Sequence, residues 1–466
     1  MSSSAGTAVV ESIDPANGEV VERYELFTEA QIDEALAGAH ACFDQWRRSE
    51  WSQRSEVMSG VARELRAAAS ELAQIVSREM GKPITEAEAE VEKCAWAAEH
   101  YAEHGEEFLA AEPIDVGEGR RVTVHKRPLG VVLAIMPWNY PLWQAMRAAA
   151  PIVTAGNCFL LKHASNVTGC GLALERVFNR AGAPEGVFQT VIVPGSKASA
   201  LIADPRIAGA TLTGSDAAGV AVGEAAGRAL KPVVLELGGS DPFIVLADAD
   251  LDKAVEVGVT ARFQNAGQSC IASKRFIVVA SVAEEFESRF AAAAAALRRG
   301  SPLDSATQLG PMARTDLRDE LAEMVDASLR AGARVLTGAR APEEAGAWYE
   351  PTVLSADASS EAPVLSEETF GPVAALARVA DEAAAIELAN DSQFGLGCSL
   401  WTTDTERAEA LSAEIEAGMV FVNSMTASDP RIPFGGVKRS GVGRELGGEF
   451  GMRAFLNLQA VAVTTG

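Results

Sequence analysis

Apolar residues recur at spacings of three and four residues through the first quarter of the chain. This period predicts amphipathic helices over residues 29–46, 51–80 and 84–111. Gly81-Lys82-Pro83 ends the second of them, since glycine and proline terminate helices. The third is strongly acidic, and we interpret its charged positions as a face exposed to solvent.

Residues 116–127 alternate between apolar and polar side chains, which predicts a β-hairpin. From Gly130 onward, short apolar segments alternate with helical patterns. The predicted strands form two series: residues 131–136, 158–161, 189–193, 210–213 and 233–236, then residues 243–246, 275–279, 373–378, 399–402 and 419–422. This alternation predicts an α/β fold with parallel sheets. No long linker separates the two series, so we expect them to pack into one molecule with a cleft between them.

The composition narrows the classes of function. The 466 residues are 48% hydrophobic and 22% charged, with a formal net charge of −24, which excludes a disordered chain. Such an acidic surface repels nucleic-acid backbones and anionic membranes, so we expect neither as a partner. The six cysteines are too widely spaced for metal-ligand pairs or a disulfide framework, and the N-terminal residues lack an apolar signal segment. We therefore expect a soluble, cytoplasmic protein without a metal site.

Two side chains are candidates for covalent chemistry. Cys270 lies in a loop of small and polar residues between a predicted helix and a predicted strand, where a thiolate can act as a nucleophile. Glu236 follows an apolar strand and precedes two glycines, and burial there would raise its pKa towards that of a general base. Taken singly, such a cysteine is more often a packing residue, and such a glutamate is more often a charge at the solvent edge of a strand.

Three further segments contain candidate binding groups. Two prolines flank the segment that contains Asn139, so its amide can be held rigidly as an oxyanion donor, or the segment is simply a rigid turn. Lys162 ends an apolar strand, at the edge where α/β sheets bind ligands. Gly214 and Ser215 join a strand to the start of a helix, whose N–H groups could hold a pyrophosphate or merely be capped.

Together, and in this order, these segments resemble the NAD(P)-dependent aldehyde dehydrogenase superfamily. The resemblance rests on Glu-Leu-Gly-Gly beginning at Glu236, Gly-Gln-Ser-Cys ending at Cys270, and the segments at 367–372 and 433–441. It implies a Rossmann-type cofactor-binding domain (1–112 and 131–238), an α/β catalytic domain (239–445) and a small β oligomerisation arm (113–130 and 446–466). In the family such an arm extends the sheet of a neighbouring subunit, so a homodimer or homotetramer is expected.

The mechanism of the family implies three catalytic residues. Cys270 would attack an aldehyde carbonyl to form a thiohemiacetal, and Asn139 together with the Cys270 backbone N–H would hold the oxyanion. Hydride transfer to the nicotinamide leaves a thioester, and Glu236 would activate the water that hydrolyses it. The presence of Glu236 argues against a CoA-acylating enzyme, and the presence of both nucleophile and base argues against a non-catalytic relative.

The resemblance also implies a dinucleotide site. Its expected residues are Trp138, Asn139, Lys162, Gly214, Ser215, the Leu237 backbone, Glu368 at the nicotinamide ribose and Phe370 beside the nicotinamide ring. Ser165 departs from the NAD-preferring members, which carry glutamate three residues after the lysine. A serine removes the repulsion of a 2′-phosphate and offers a hydrogen-bond donor. We therefore expect NADP as the preferred cofactor and NAD as the alternative.

The segment at 140–147 resembles that of bacterial succinate-semialdehyde dehydrogenases. Arg147 stands where many oxidisers of simple aliphatic aldehydes have an apolar residue, and its guanidinium suits a substrate carboxylate. The alternative for Arg147 is a salt bridge to a structural acid. Ser428 is expected as a second donor to the substrate carboxylate, and Trp143 as a further substrate contact. The prediction is an NADP-preferring succinate-semialdehyde dehydrogenase; the alternatives are oxidation of glutarate or 2-oxoglutarate semialdehyde, and broad-specificity aldehyde oxidation.

Overall fold

The computed structural model describes residues 8–117 and 119–464. Residues 1–7, Glu118 and residues 465–466, which fall within the predicted cofactor domain and arm, lie outside the described part. The helices are α1 (Glu29–Trp46), α2 (Trp51–Ala67), α3 (Ala69–Met80), α4 (Ile84–Phe108), α5 (Pro141–Thr154), α6 (Thr168–Arg180), α7 (Ala198–Ala203), α8 (Asp216–Arg228), α9 (Leu251–Phe263), α10 (Ala280–Ala295), α11 (Thr315–Arg330), α12 (Pro363–Ser366), α13 (Glu382–Asn390), α14 (Thr405–Ser412) and α15 (Glu449–Arg453). Short 3-10 helices span Ser165–Val167, Gly195–Lys197 and Gln264–Gly267.

The strands are short and lie mostly between helices. They are β1 (Val9–Ile13), β2 (Val20–Glu25), β3 (Glu112–Ile114), β4 (Arg120–Pro128), β5 (Val131–Met136), β6 (Cys158–His163), β7 (Phe188–Thr190), β8 (Ile207–Thr213), β9 (Val233–Glu236), β10 (Asp241–Val245), β11 (Ser273–Val279), β12 (Arg334–Thr337), β13 (Thr352–Asp357), β14 (Val373–Val379), β15 (Phe394–Gly395), β16 (Gly397–Trp401), β17 (Met419–Val422), β18 (Pro433–Phe434), β19 (Val437–Lys438), β20 (Gly441–Val442), β21 (Glu445–Leu446) and β22 (Leu456–Thr464).

The first large sheet has the strand order β20-β9-β8-β5-β6-β7. Strands β5 to β9 are parallel, and the chain starts at β5, continues outward through β6 and β7, and then returns to β8 on the other side of β5. Ligands of such sheets bind outside the carboxyl ends of the strands, at the point where the strand order reverses. The predicted α/β fold with a Rossmann-type sheet is therefore confirmed.

The sixth strand of this sheet comes from far along the chain. β20 pairs antiparallel with β9, with Gly441 opposite Glu236 and Val442 opposite Leu235. The segment predicted to close the catalytic domain therefore returns to the cofactor sheet before residue 445. Two residues are too few to show a strand period, so the sequence pattern could not indicate this pairing.

The second large sheet has the order β12-β13-β14-β11-β10-β16-β17 and is parallel except at β12. An aromatic cluster that includes Phe243, Phe276 and Trp401 packs in the core on one face of this sheet. Only residues 237–240 separate β9 from β10, so the carboxyl edge of the first sheet meets the amino edge of the second. The predicted site residues lie along this junction.

The small sheet β22-β4-β3 contains the predicted hairpin and the C-terminal strand. β22 pairs with β4 along its whole length, from Leu456 opposite Pro128 to Thr464 opposite Arg120. Apolar side chains, among them Leu458, Val461 and Val463, remain exposed on this sheet. Its role in oligomerisation stays a prediction.

Two local features differ from the sequence patterns. The helix predicted over residues 51–80 is two helices, α2 and α3, because the backbone bends at Ala68 (φ −100°, ψ 13°). Both helices pack against α4, and this packing sets the bend. The sequence gives no sign of it, because the residue at the bend is alanine, the best helix former. The hairpin of β1 and β2 was not predicted, although Asn17-Gly18 is a typical turn; its valines are largely exposed, so the apolar period is weak.

No helix in residues 8–117 or 119–464 is both long and apolar enough to cross a membrane.

Candidate active site

Cys270 lies in the loop between the 3-10 helix Gln264–Gly267 and β11. Its side chain is partly exposed. The other five cysteines, all of them in the described part of the chain, are buried: Cys42, Cys94, Cys158, Cys170 and Cys398. Cys270 is therefore the thiol that a small molecule from solution can reach.

The backbone that leads to Cys270 is strained. Asn265 and Ala266 have φ angles of 55° and 52°, and this left-handed region costs an L-residue about 1–2 kcal/mol. Gly267 continues the same conformation, with φ 71°, and an added Cβ there would lie 2.3 Å from a neighbouring carbonyl oxygen. Glu86 Oε2 accepts a hydrogen bond from the Asn265 backbone N–H at 2.7 Å. Contacts from distant segments thus hold the loop in shape, as is common at functional sites.

Two cations lie near the Cys270 thiol. Lys274 Nζ donates hydrogen bonds to the Ser269 carbonyl oxygen at 2.8 Å and to the Cys270 carbonyl oxygen at 2.6 Å. Burial raises the pKa of the Cys270 thiol to about 11, although Arg147 and Lys274 act in the opposite direction. The thiol is therefore protonated at neutral pH and must lose its proton before it can attack.

Glu236 ends β9 and is 2% exposed. Neither of its carboxyl oxygens has a hydrogen-bond partner in the described chain. Burial, followed by the neighbouring Glu445, raises the pKa of this carboxyl well above its usual value, while Arg147 and Arg444 oppose the rise. A Cβ at Gly435 would lie 2.7 Å from Glu236 Oε1, so the Gly-Gly turn closes directly over the carboxyl. A buried, unpartnered carboxyl with a raised pKa is typical of a functional acid or base, and the alternative of a solvent-exposed strand end is excluded.

Asn139 holds the loop after β5 against the cysteine loop. Its Nδ2 donates to the Gln268 carbonyl oxygen at 3.0 Å, and its own carbonyl oxygen accepts from Asn265 Nδ2 at 2.7 Å. Gln268 is two residues before Cys270, so the Asn139 amide is fixed beside the loop that carries the thiol. Its second N–H remains available to a ligand.

Arg147 on α5 is almost fully buried and forms an ion pair with Glu445, with 2.5 Å between Nε and Oε2. Its Nη2 donates to Thr213 Oγ1 at 3.2 Å, and its guanidinium lies 4.3 Å from the ring centroid of Phe434. Arg147 also lines the cavity in front of Cys270. The structure therefore contains the salt bridge to an acid that was the alternative interpretation, and it also places the guanidinium at the predicted substrate site.

A cavity of about 200 Å³ extends from the Cys270 thiol. Of the residues predicted to contact substrate, Trp143, Arg147 and Ser428 all line it, whereas Glu236 and Asn139 lie outside its lining. Its volume suits a small ligand.

One face of α4 forms a wall of this cavity. Glu86, Ala89, Glu90 and Lys93 follow at helical spacing and all line it. The interpretation of the charged positions of α4 as a solvated face is therefore wrong for these residues. Glu90, for example, is buried and accepts hydrogen bonds from the backbone N–H groups of two residues of α5, at 2.9 Å each. Sequence reasoning missed the face because a polar stripe on an amphipathic helix normally faces water.

The predicted cofactor residues lie along the carboxyl edge of the first sheet. Lys162 is the next-to-last residue of β6 and, within the described chain, has no ion-pair or hydrogen-bond partner. Burial lowers its pKa. Ser165 begins the short 3-10 helix just after β6 and is exposed. Gly214 follows β8, and the Ser215 Oγ caps α8 by accepting from a backbone N–H at 3.3 Å. The Leu237 N–H donates to a carbonyl oxygen of the turn before β20 at 2.9 Å.

Glu368 and Phe370 reach the same junction from the second sheet. Glu368 Oε1 accepts from the Gly239 backbone N–H at 2.9 Å, and a Cβ at Gly238 would lie 2.2 Å from Glu368 Oε2. A glycine at position 238 is therefore needed for this close approach. Phe370 packs edge-on against Trp138, with 5.6 Å between ring centroids. The predicted nicotinamide-side residues thus lie together.

The described residues contain no group of three or more His, Cys, Asp or Glu side chains arranged to hold a metal ion. The groups that the site offers for chemistry are the Cys270 thiol, the Glu236 carboxyl and the Asn139 amide.

Comparison with known proteins agrees with this geometry. The model of the aldehyde dehydrogenase family matches residues 1–461. The chain is 50% identical to succinate semialdehyde dehydrogenase [NAD(P)+] Sad of Escherichia coli over 97% of both chains. It is 48% identical to a succinate-semialdehyde dehydrogenase [NADP(+)] of Mycobacterium avium, over 97% of this chain and 96% of the relative.

A solved structure shows the same fold. Succinic semialdehyde dehydrogenase of Streptococcus pyogenes, in complex with NADP+, superposes with a TM-score of 0.95 at 36% identity, over 98% of this chain and all of the other. Shared sequence over nearly the whole length and a shared fold lead to one assignment. The chain belongs to the aldehyde dehydrogenase family.

Proposed function

We propose that this protein oxidises succinate semialdehyde to succinate, with NADP as the preferred cofactor. The observation that carries the proposal is the cavity, which joins the Cys270 thiol to the cationic side chains of Lys93 and Arg147 in about 200 Å³. A short substrate with an aldehyde at one end and a carboxylate at the other matches this lining. The activities of relatives 48–50% identical to the chain support the same substrate.

The positions of three side chains support the catalytic roles that the resemblance implies. Cys270 forms a thiohemiacetal with the aldehyde carbon, and the free N–H of the Asn139 amide, together with the Cys270 backbone N–H, stabilises the oxyanion. Loss of hydride from that carbon leaves a thioester on Cys270. Glu236, a carboxyl with a raised pKa at the edge of the site, takes a proton from the water that hydrolyses the thioester.

The residues at the carboxyl edge of the first sheet fit a dinucleotide phosphate. Lys162 is a cation without a counterion in the described chain, and the exposed Ser165 follows it just after β6. Ser215 and Gly214 form the N-terminus of α8, where backbone N–H groups favour anions. Glu368 would hold the nicotinamide ribose, and Phe370 and Trp138 would border the ring. When bound, the nicotinamide accepts the hydride.

The specificity of the wild-type enzyme tests this function. We expect initial-rate kinetics to give a kcat/KM for succinate semialdehyde at least about 10-fold above that for butyraldehyde, since one charge-assisted contact contributes that much. The two aldehydes have the same carbon chain and differ in the terminal carboxylate. Equal values for both would instead indicate a broad-specificity aldehyde dehydrogenase.

Ser165→Glu tests the cofactor preference. A carboxylate at this position would repel the 2′-phosphate, and like charges placed together cost several kcal/mol. We expect the ratio of kcat/KM for NADP to that for NAD to fall by at least about 10-fold, with a matching loss of NADP affinity in a fluorescence titration. Ser70→Glu, at an exposed position on α3, is the matched control. An unchanged ratio would remove Ser165 from the 2′-phosphate site.

The proposal extends to the oligomeric state of the protein and to its location in the cell. The exposed apolar side chains of the β22-β4-β3 sheet support a homodimer or homotetramer built through this sheet. The formal net charge of −24 disfavours anionic membranes and nucleic acids as partners, which fits a cytoplasmic enzyme that acts on a small aldehyde.

A further inference from the structure

Lys93, Ser428 and Trp143 form a polar cluster in the wall of the substrate cavity. Lys93 Nζ donates to Ser428 Oγ at 2.7 Å, and Trp143 Nε1 donates to the same Oγ at 3.0 Å. Lys93 Nζ also lies 4.6 Å from the centroid of the Trp143 ring. The three side chains come from α4, α5 and the loop before β18, so the cluster exists only in the folded chain.

The hydrogen-bond chemistry of the cluster leaves donors free on two side chains, Ser428 and Lys93. A lysine ammonium and an indole N–H can only donate, so Ser428 Oγ accepts twice and both of its lone pairs are used. The Ser428 hydroxyl hydrogen must then point to a third acceptor, and no such acceptor occurs among the described residues. Lys93 keeps two further N–H donors. Two neighbouring donors in the wall of a cavity suit the two oxygens of a carboxylate.

The charges of the cavity point to Lys93 rather than Arg147 as the cation that a ligand meets. Glu90 is paired with Lys82, and Arg147 is paired with Glu445. Lys93 has no carboxylate within ion-pair distance in residues 8–117 and 119–464; the nearby Asp429 is paired with Arg431. Burial, followed by the repulsion of Arg147, lowers the pKa of Lys93 to about 8. An anion at this position would relieve the cost of an uncompensated buried charge.

Arg147 has less to offer a ligand. Its Nε and Nη2 already donate to Glu445 and Thr213, and Phe434 covers one side of its guanidinium. It acts mainly as a fixed positive charge that favours the ionised forms of Cys270 and Glu236.

We propose that Lys93 and Ser428 bind the carboxylate of the substrate and thereby set the preference for an aldehyde with a terminal carboxylate. This inference rests on the proposed function. It deepens that function by assigning the carboxylate contact to a residue of α4 that the sequence pattern did not single out.

The test compares Lys93→Met with wild type on succinate semialdehyde and butyraldehyde. Methionine keeps the length of the side chain and removes the charge. We expect KM for succinate semialdehyde to rise about 10- to 100-fold, because a hydrogen bond to a charged group is lost. The kcat with this substrate should fall little, and kcat/KM for butyraldehyde should stay within about 2-fold of wild type. A general structural effect would instead lower the activity with both aldehydes. Lys253→Met, at an exposed position on α9, is the matched control.

Two further variants cover a failure of Lys93→Met to fold. Lys93→Arg keeps the charge and should retain most of the preference, whereas Ser428→Ala, which removes only a hydroxyl, should raise KM for succinate semialdehyde several-fold and leave butyraldehyde unchanged. Calorimetric titration with succinate, the product, measures binding without turnover. Wild type and Lys93→Arg should bind succinate more tightly than Ser428→Ala and Lys93→Met.

The outcomes separate the two proposals. If the wild type prefers succinate semialdehyde, an unchanged KM in Lys93→Met overturns the assignment of Lys93, and an unchanged KM in Ser428→Ala overturns that of Ser428. Either result leaves the proposed function standing. A wild type without any preference for the carboxylated substrate overturns both.

Discussion

Cys270→Ala is expected to lower kcat for aldehyde oxidation by about 10⁴-fold or more, the scale seen when a covalent nucleophile is removed. The substitution deletes the only thiol among the described residues that line the cavity. NADPH formation followed by absorbance measures the loss. The fold should survive, because the side chain is only partly buried and makes no side-chain hydrogen bond that holds the loop.

Alkylation gives an independent measure of the same thiol. Because the other cysteines are buried, iodoacetamide should label one site per wild-type chain and none in Cys270→Ala. The thiolate is the reactive form, and burial raises the pKa of Cys270 to about 11, so the alkylation rate should keep rising with pH through the alkaline range. Cys398→Ala is the control, since Cys398 lies in the core of the second sheet. Appreciable turnover by Cys270→Ala would show that the covalent mechanism is wrong.

Glu236→Gln is expected to lower steady-state turnover by about 10²- to 10⁴-fold, the usual contribution of a general base. The reason is that glutamine cannot take a proton from the water that hydrolyses the thioester. Attack by Cys270 and hydride transfer do not need this carboxyl. A rapid burst of about one NADPH per site should therefore precede the slow steady state in stopped-flow traces, and the acyl-enzyme should be visible by intact-protein mass spectrometry.

The stability of this variant has a predictable pH dependence. The pKa of Glu236 is raised in the folded protein, so the folded state binds more protons than the unfolded state above the ordinary glutamate pKa. The contribution of Glu236 to the free energy of unfolding therefore falls as pH rises from the unfolded pKa towards the folded one. Glutamine does not titrate, so its contribution to the free energy of unfolding does not fall with pH. The Tm of Glu236→Gln relative to that of wild type should therefore rise as pH increases.

The burst also separates two roles for the carboxyl. Loss of the burst, with slow single-turnover hydride transfer, would assign Glu236 to deprotonation of Cys270 instead of hydrolysis of the thioester. Glu92→Gln is a suitable control, because Glu92 lies on the exposed side of α4 and pairs with Arg66. It should change neither phase.

The sequence determined the elements and the order of the chemical groups. The pattern of apolar residues predicted the observed bounds of α1 and of three strands, β5, β9 and β17. The positions of Glu236 at a strand end and Cys270 in a loop before a strand were also readable. Glu236 ends a strand of the first sheet and Cys270 precedes a strand of the second, so these local positions did not by themselves predict a common site. The resemblance to the aldehyde dehydrogenase superfamily implied it.

The tertiary structure alone decided which charges meet. Arg147 and Glu445 are 298 residues apart and form a buried ion pair. Lys93 donates a hydrogen bond to Ser428, which is 335 residues away in the sequence. A period along one helix shows which face is polar, but it cannot show whether that face meets water or a cavity wall. That choice depends on packing between distant elements, because α4 turns Lys93 inward only when α5 and the loop at Ser428 close against it.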